Sequence, residues 1–390
     1  MGQPLQGDGN AFVIIVNLKI IPVISVFGSK YTQEDIDAVV QCLESNWTGI
    51  GKNVTAFEQQ FRKRLGSEHF MMVDSGSNAL YLALKNLHLP KGGEVILPSF
   101  TWVSCAQAVL LNDLVPVFCD VDLYTQNVTA EHIAQKISNK TAAIMVVHYA
   151  GLPVDMEPIL ALGYPVLEDA AHAVDSTVDG TYCGTFGDAG IWSFDSVKNI
   201  AVGEGGGIWF REKERIDQSR MMRYCGIGFS GFQAASKNSS GNWWEYDIQQ
   251  PNVKMLPSDI EGALAVVQLK HLPVNQERRK AIWDYYQQAF AQTAAVTTPV
   301  DCKPNETHSY FTYFIQVPAE KRNALAKHLY DSGIYSTLRY HPLHLNAIYQ
   351  STASLPNSEQ LNVTGLNIPL HQNLTDEQVE RIAGTINDFL

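Results

Sequence analysis

Between residues 70 and 210 short apolar runs alternate with stretches of helical periodicity, and that alternation leaves few folds open. Met71-Met72-Val73, Glu94–Leu97, Tyr164–Asp169, Ala189–Trp192 and Gly207–Phe210 read as strands. After the first of them Leu80, Leu84 and Leu87 recur at helical spacing. Strands separated by helices pair side by side in one direction and bury both faces of the sheet. The expected class is therefore α/β, a mostly parallel sheet between helices. The length of 390 residues permits two units. A large one is expected over 22–272 and a smaller one over 273–390, after a tail of residues 1–21. In the large unit Thr32-Gln33-Glu34-Asp35 reads as a capping box that opens a helix with Ile36, Val39, Val40 and Leu43 on one face. In the small one His308–Val317 reads as a strand and Ala319–Tyr330 as a helix stopped by Gly333. Thr375-Asp376-Glu377-Gln378 caps a last helix.

Lys198 sits in Ser193-Phe194-Asp195-Ser196-Val197-Lys198-Asn199, just ahead of Gly203-Glu204-Gly205-Gly206-Gly207, on the turn between two apolar strands. Most lysines in turns are solvated. A buried one shifts toward its neutral amine, the form that attacks a carbonyl and makes a Schiff base. Upstream, the apolar strand of Tyr164–Asp169 ends in a carboxylate. Such a residue points into the crevice where open α/β sheets bind ligands, although it serves equally as a helix N-cap. Asp169 can keep the pyridine nitrogen of pyridoxal 5′-phosphate protonated. His172, three residues on, is within reach of the same ring.

Asp74-Ser75-Gly76-Ser77-Asn78 opens the first helix, and small residues at a helix start leave N–H groups free for a phosphate. Plain capping explains the same residues. Ser193 adds a hydroxyl. Trp102, after Pro98-Ser99-Phe100-Thr101, is placed either to stack on a flat ring or to pack in the core.

In order and spacing these segments resemble the DegT/StrS sugar aminotransferases, fold-type I pyridoxal phosphate enzymes. The resemblance runs from about Pro22 to Leu390 and includes Asn46–Gly51, Val115–Asp122, His148–Met156, Tyr340–Leu345 and Ile368–His371. It implies a seven-stranded, mostly parallel sheet in the large domain and a smaller C-terminal α/β domain. It also implies a homodimer with shared active sites and transfer of an amino group from L-glutamate to a keto or aldehyde sugar. By the same resemblance Lys198 is the Schiff-base lysine and general base, and Asp169 the partner of the ring nitrogen. His172 lies by the 3′-oxygen and Trp102 stacks on the ring. Gly76, Ser77 and Ser193 bind the phosphate, joined by Asn252 from the neighbouring subunit. Lys254 stands where arginine is common, so it keeps the charge without the bidentate fork. Lys254, Arg339, His344 and Trp47 are the candidates for sugar contacts. A 3- or 4-keto nucleotide sugar of cell-surface polysaccharide or lipopolysaccharide is the implied substrate. A free 8-oxo-3-deoxy-octulosonate, or a sensor role without turnover, stands beside it.

Composition fits a cytoplasmic enzyme. A net charge of −12 argues against a nucleic-acid partner. The six cysteines lack a C-x-x-C pair, so neither a zinc site nor a disulfide framework is expected. Phe12–Val16 is too short for a membrane span. No G-x-G-x-x-G follows a first strand, which argues against a dinucleotide enzyme. The stretch Gly226–Pro251, rich in Gly, Ser, Asn and aromatics, reads either as a substrate lid or as an irregular insertion.

Overall fold

A computed structural model describes residues 24–228, 244 and 246–390. The tail at 1–21, the run Phe12–Val16 and most of the stretch read as a lid lie outside the described residues. The large sheet is built from β1 (Phe70–Val73), β2 (Glu94–Pro98), β3 (Val115–Cys119), β4 (Thr141–Val147) and β5 (Val166–Asp169). After a small hairpin of β6 (Thr177–Val178) and β7 (Thr181–Tyr182) come β8 (Ala189–Ser193) and β9 (Gly206–Phe210). The seven strands of the sheet are ordered β1-β9-β8-β5-β4-β2-β3, and β9 alone runs against the others. The mostly parallel α/β sheet expected from the alternation is the one found.

The parallel strands are apolar on both faces because helices cover both. Leu80, Leu84, Val109 and Met145 belong to one apolar cluster, and Ile96, Ile144, Val146 and Ile159 to another. Beyond the sheet a single helix, Asp259–Phe290, crosses the expected boundary at 272. Ser258 and Glu261 open it with a capping box. The C-terminal part pairs β11 (Tyr313–Gln316) with β12 (Gly365–Ile368), following the short β10 (Glu306–Thr307). Helices Ala319–Asp331 and Asp376–Phe389 complete it, the latter with the expected Thr375 cap. Among the described residues no helix is long and apolar enough to cross a membrane.

One expectation needs correction. The strand read over His308–Val317 is confined to Tyr313–Gln316. Residues 308–312 instead form an irregular run whose carbonyls accept from Arg279 and Gln276 of the long helix. The helix Gln33–Glu44 starts at Thr32 with the expected capping box, yet Ile36, Val40 and Leu43 are 53%, 45% and 51% exposed. Its buried side carries Asp35 and Cys42. Gln268 Nε2 donates to Asp35 at 2.8 Å, so a polar tie to the long helix, not apolar periodicity, decides which face turns inward.

Strand β1 is a sheet edge, and side chains satisfy its outer groups in place of another strand. The Met72 amide donates to Glu58 Oε1 at 3.0 Å, while Arg62 and Arg220 donate to the Phe70 carbonyl and Arg223 to that of Met72. Glu58 binds all three guanidinium groups. Burial acts to raise its carboxyl, but Arg223, Arg220, the Met72 amide and Arg62 outweigh it and hold Glu58 below the ordinary carboxylate range. Glu58→Gln, which leaves these arginines without their carboxylate, is expected to lower the unfolding free energy by about 3 kcal/mol in denaturant titration at pH 7. Because the folded-state value is depressed, this stabilisation is present above the unfolded value of about 4.3. It is lost as pH falls through the lower folded one, so wild type and variant converge in acid.

Candidate active site

Strands β1, β2, β4, β5 and β8 run the same way, and the residues at or just past their carboxyl ends border one open cleft of about 340 Å³. This is where ligands sit in open α/β sheets. Ser75, Gly76 and Ser77 come from β1, Thr101, Trp102 and Ser104 from β2, and Asp169, Ala171 and His172 from β5. Ser193 ends β8 and Asp195 to Lys198 follow it, and Arg339 and Tyr340 reach in from the C-terminal part.

Lys198 lies on the turn between β8 and β9, as the sequence leads one to expect. The turn is closed by Lys198 N–H on the Asp195 carbonyl and by Phe194 N–H on that of Gly205, both at 2.8–2.9 Å. Asn199 anchors it from behind, its side chain donating to Gln276 Oε1 and to the Ser309 carbonyl. The Lys198 side chain is buried with its Nζ 4.6 Å from the centre of the Phe311 ring. Burial, aided by the charge of Arg339, pushes the amine down to about 8, with Asp169 opposing.

Glu168 and Asp169 are consecutive strand residues and so face opposite sides of the sheet. Glu168 is fully buried and accepts the amides of Gly184, Phe186 and Gly187 at 2.6–2.8 Å, together with His148 Nε2 at 2.9 Å. The other ring nitrogen of His148 accepts the Val154 amide. Asp169, on the cleft side, accepts the Ala171 amide at 2.9 Å and the Cys105 thiol at 3.2 Å. Burial raises its carboxyl, and the Ala171 amide, the thiol and Lys198 counter that.

His172 is buried with its Nε2 3.0 Å from the Tyr340 hydroxyl, and its ring stacks on Phe311 at 4.1 Å. Trp102 is 55% exposed at the cleft wall, 5.6 Å from the Tyr340 ring. Ser75 caps the helix Gly76–Asn86 through the Asn78 amide, which leaves the preceding N–H groups facing outward. A side chain at Gly76 would meet Ser193 Cβ at 2.8 Å, and one at Gly206 would meet the Ser75 carbonyl at 2.4 Å. The glycines therefore let the helix start, β8 and β9 close into a narrow cradle.

These features fit pyridoxal phosphate. The cradle of Ser75, Gly76, Ser77 and Ser193 offers backbone and hydroxyl donors, Asp169 is an acceptor at the base, and His172 Nδ1 is a buried nitrogen without a partner. The structure thus gathers Lys198, Asp169, His172, Trp102, Gly76, Ser77, Ser193 and Arg339. Trp47, His344, Asn252 and Lys254 lie outside this cleft. Trp47 is 61% exposed, and its indole N–H donates to the Ile50 carbonyl. His344 ties the segment after Tyr340 to Ser99 through a 2.6 Å contact. Lys254 forms an isolated bridge with Tyr224. Cys105, Ser104, Phe311 and Tyr340 are additions no local pattern announces. Ser104 and Cys105 follow Trp102 by two and three residues, Tyr340 opens the segment Tyr340–Leu345 and Phe311 lies in the run His308–Val317, but nothing local assigns any of them to the cleft.

A fold-type I sheet with a buried lysine, a buried aspartate and a phosphate cradle at its carboxyl edge defines a pyridoxal phosphate enzyme. The chain belongs to the DegT/DnrJ/EryC1/StrS aminotransferase family, whose profile matches residues 29–387. It is 35% identical to the dTDP-4-dehydro-2,3,6-trideoxy-D-glucose 4-aminotransferase of Saccharopolyspora spinosa, over 90% of this chain and 92% of that protein. The spore coat polysaccharide biosynthesis protein SpsC of Bacillus subtilis strain 168 is 33% identical over 92% and 95%. Among solved structures, the aminotransferase TlmJ from Streptoalloteichus hindustanus superposes with a TM-score of 0.89 at 35% identity, covering 94% of this chain and 98% of that one. Spr1654 from Streptococcus pneumoniae, solved in PMP and PLP forms, gives 0.88 and 0.87 at 26% and 25% identity. These cover 95% and 94% of this chain and 98% of each of those. The protein is a pyridoxal phosphate-dependent sugar aminotransferase.

A neutral amine is the form that attacks an aldehyde, so the rate at which the apoprotein takes up pyridoxal phosphate is expected to rise with pH around a midpoint of about 8, the value to which Lys198 is pushed down. Arg339→Gln removes one of the groups that depress this amine and is expected to move the midpoint upward, read by stopped-flow absorbance. A wild-type midpoint near the ordinary lysine value would show that burial does not tune this amine.

Proposed function

We propose that the enzyme moves the amino group of L-glutamate to the keto carbon of a nucleotide-linked sugar, working in the cytoplasm as a homodimer with shared sites. The observation that carries the catalytic part is the convergence of Lys198 and Asp169 in one cleft beside the Ser75–Ser77 cradle. When bound there, pyridoxal phosphate supplies the electron sink that lets the α-hydrogen of an amino acid leave as a proton. Lys198 Nζ, with its amine pushed down to about 8, takes that proton and returns it. Asp169 holds a proton on the ring nitrogen, and the Cys105 thiol and Ala171 amide hold Asp169 in place. Trp102 covers one wall, and Phe311 excludes water from the lysine.

The Saccharopolyspora relative is named for a dTDP-linked 4-keto sugar, which supports a substrate of that class. The cleft's own charges support a shared site. Asp195 and Glu204 border it, and burial together with Asp195 and Asp74 raises the Glu204 carboxyl. Among the described residues only Lys198 and Arg339 bring lysine or arginine charge to its walls. A diphosphate needs more, and Asn252 and Lys254, outside their own chain's cleft, are placed in this reading at that of the partner.

Glutamate-loaded protein offered a panel of 3-keto and 4-keto dTDP- and UDP-sugars and free 8-oxo-3-deoxy-octulosonate is expected to aminate a nucleotide-linked member. Amination of the free acid sugar alone would overturn the nucleotide assignment. Asp169→Asn is expected to retain the fold and lower the rate of both half-reactions about a hundred-fold or more, a loss of about 3 kcal/mol of transition-state stabilisation. Lys198→Ala and Asn252→Ala, each inactive alone, are expected to regain about one working site per heterodimer after subunit exchange. A mixture that stays inactive after verified exchange would remove Asn252 from a shared site.

A further inference from the structure

Behind His172 the polar groups are connected in one direction only. The Tyr340 hydroxyl is 3.0 Å from His172 Nε2, and among the described residues no other acceptor lies within its reach. The positive charge of Arg339 acts on the Tyr340 hydroxyl. That hydroxyl carries one proton and, buried, needs an acceptor for it. Its one acceptor is Nε2. Burial, reinforced by the positive charges of Lys198 and Arg339, holds the imidazole well below its ordinary value and therefore neutral, with one N–H. With Nε2 accepting, that hydrogen sits on Nδ1, which is buried and has no partner of its own. The ring is clamped against turning over. Phe311 stacks on it at 4.1 Å and 16°, and the Tyr340 ring lies nearly parallel at 14°.

We propose that Tyr340 is a positioning residue that fixes His172 as the Nδ1–H tautomer and so presents a hydrogen-bond donor for the cofactor's 3′-oxygen. The proposal rests on the reading that sets His172 beside the cofactor. An aromatic hydroxyl whose one acceptor is Nε2 gives the tautomer one sense, whereas water at Nε2 would permit either. Lys198, Asp169, Cys105 and Tyr149 are the other ionisable groups around His172 and Tyr340, and none of them hydrogen-bonds His172 Nε2.

The test is a long-range nitrogen–proton correlation spectrum of holoenzyme labelled with nitrogen-15 in its histidines, with the His172 signals identified by their loss in His172→Gln. The expected result is hydrogen on Nδ1 and none on Nε2 at pH 7.5. In Tyr340→Phe the Nε2–H form is expected to appear, and the pH midpoint of the bound cofactor's visible absorbance to move by about one unit. Loss of packing alone would not change which nitrogen is protonated. A wild-type ring protonated on Nε2 or on both nitrogens would overturn the proposal without any variant being needed. So would a Tyr340→Phe protein with unchanged tautomer and unchanged midpoint. Failure of the underlying reading shows separately, as His172 nitrogen signals that are the same in apoprotein and holoenzyme.

Discussion

The fully buried Glu168 carboxylate is the interaction on which the site depends. Three backbone amides from residues 184–187 and the His148 ring converge on it, from two connections that would otherwise be free to move. An ionised group taken out of water is tolerable only when so fully paired, and loss of any partner leaves the rest of the charge exposed to a low dielectric. The bonds fix the last turn of chain before β8 against the end of β5. Since strand side chains alternate, fixing Glu168 on one face sets Asp169 on the other, in the wall of the cleft.

From that anchor the rest of the site is a matter of close approach. Glycines at 76 and 206 let β9, the helix start and β8 come near enough for Ser75, Ser77 and Ser193 to form one cradle. The turn after β8 then puts Lys198 under Phe311, where desolvation makes its amine reactive near neutral pH. Asn199, next in sequence, does the mechanical part by pinning the turn to Gln276 and Ser309. Reactivity and rigidity therefore come from adjacent residues with separate tasks. The hydrogen bond between Tyr340 and His172 extends the same division, tying the C-terminal part to a group carried by the large sheet.

Periodicity yields where a polar contact competes with it. The helix Gln33–Glu44 carries apolar residues at the right spacing, yet Asp35 and its bond from Gln268 turn the other face inward. Residues 308–312 have strand-like composition, but Arg279, buried without a carboxylate, collects the carbonyls of Tyr310, Phe311 and Leu370 and holds the run irregular. A buried cation must find acceptors, and backbone carbonyls drawn to it are lost to a sheet.

The sequence by itself determined the elements and the chemistry that sits at their ends. Apolar runs gave β1, β2, β5, β8 and β9, capping residues gave the starts at Thr32, Ser75 and Thr375, and a lysine and an aspartate at strand ends marked two residues that line the cleft. Those signals act over a few residues, through backbone periodicity and turn chemistry, and so survive in the linear chain. Only the tertiary structure decided which of the candidates meet. Tyr340 lies 168 residues from His172, and Cys105 lies 64 from Asp169. No local rule brings such pairs together. His344 and Trp47, as prominent in the sequence as Arg339, lie outside the cleft because one is hydrogen-bonded to Ser99 and the other is turned to the surface. Packing across the sheet edge, a property of the whole chain, sets which side chains share a cleft and how far an amine is desolvated there.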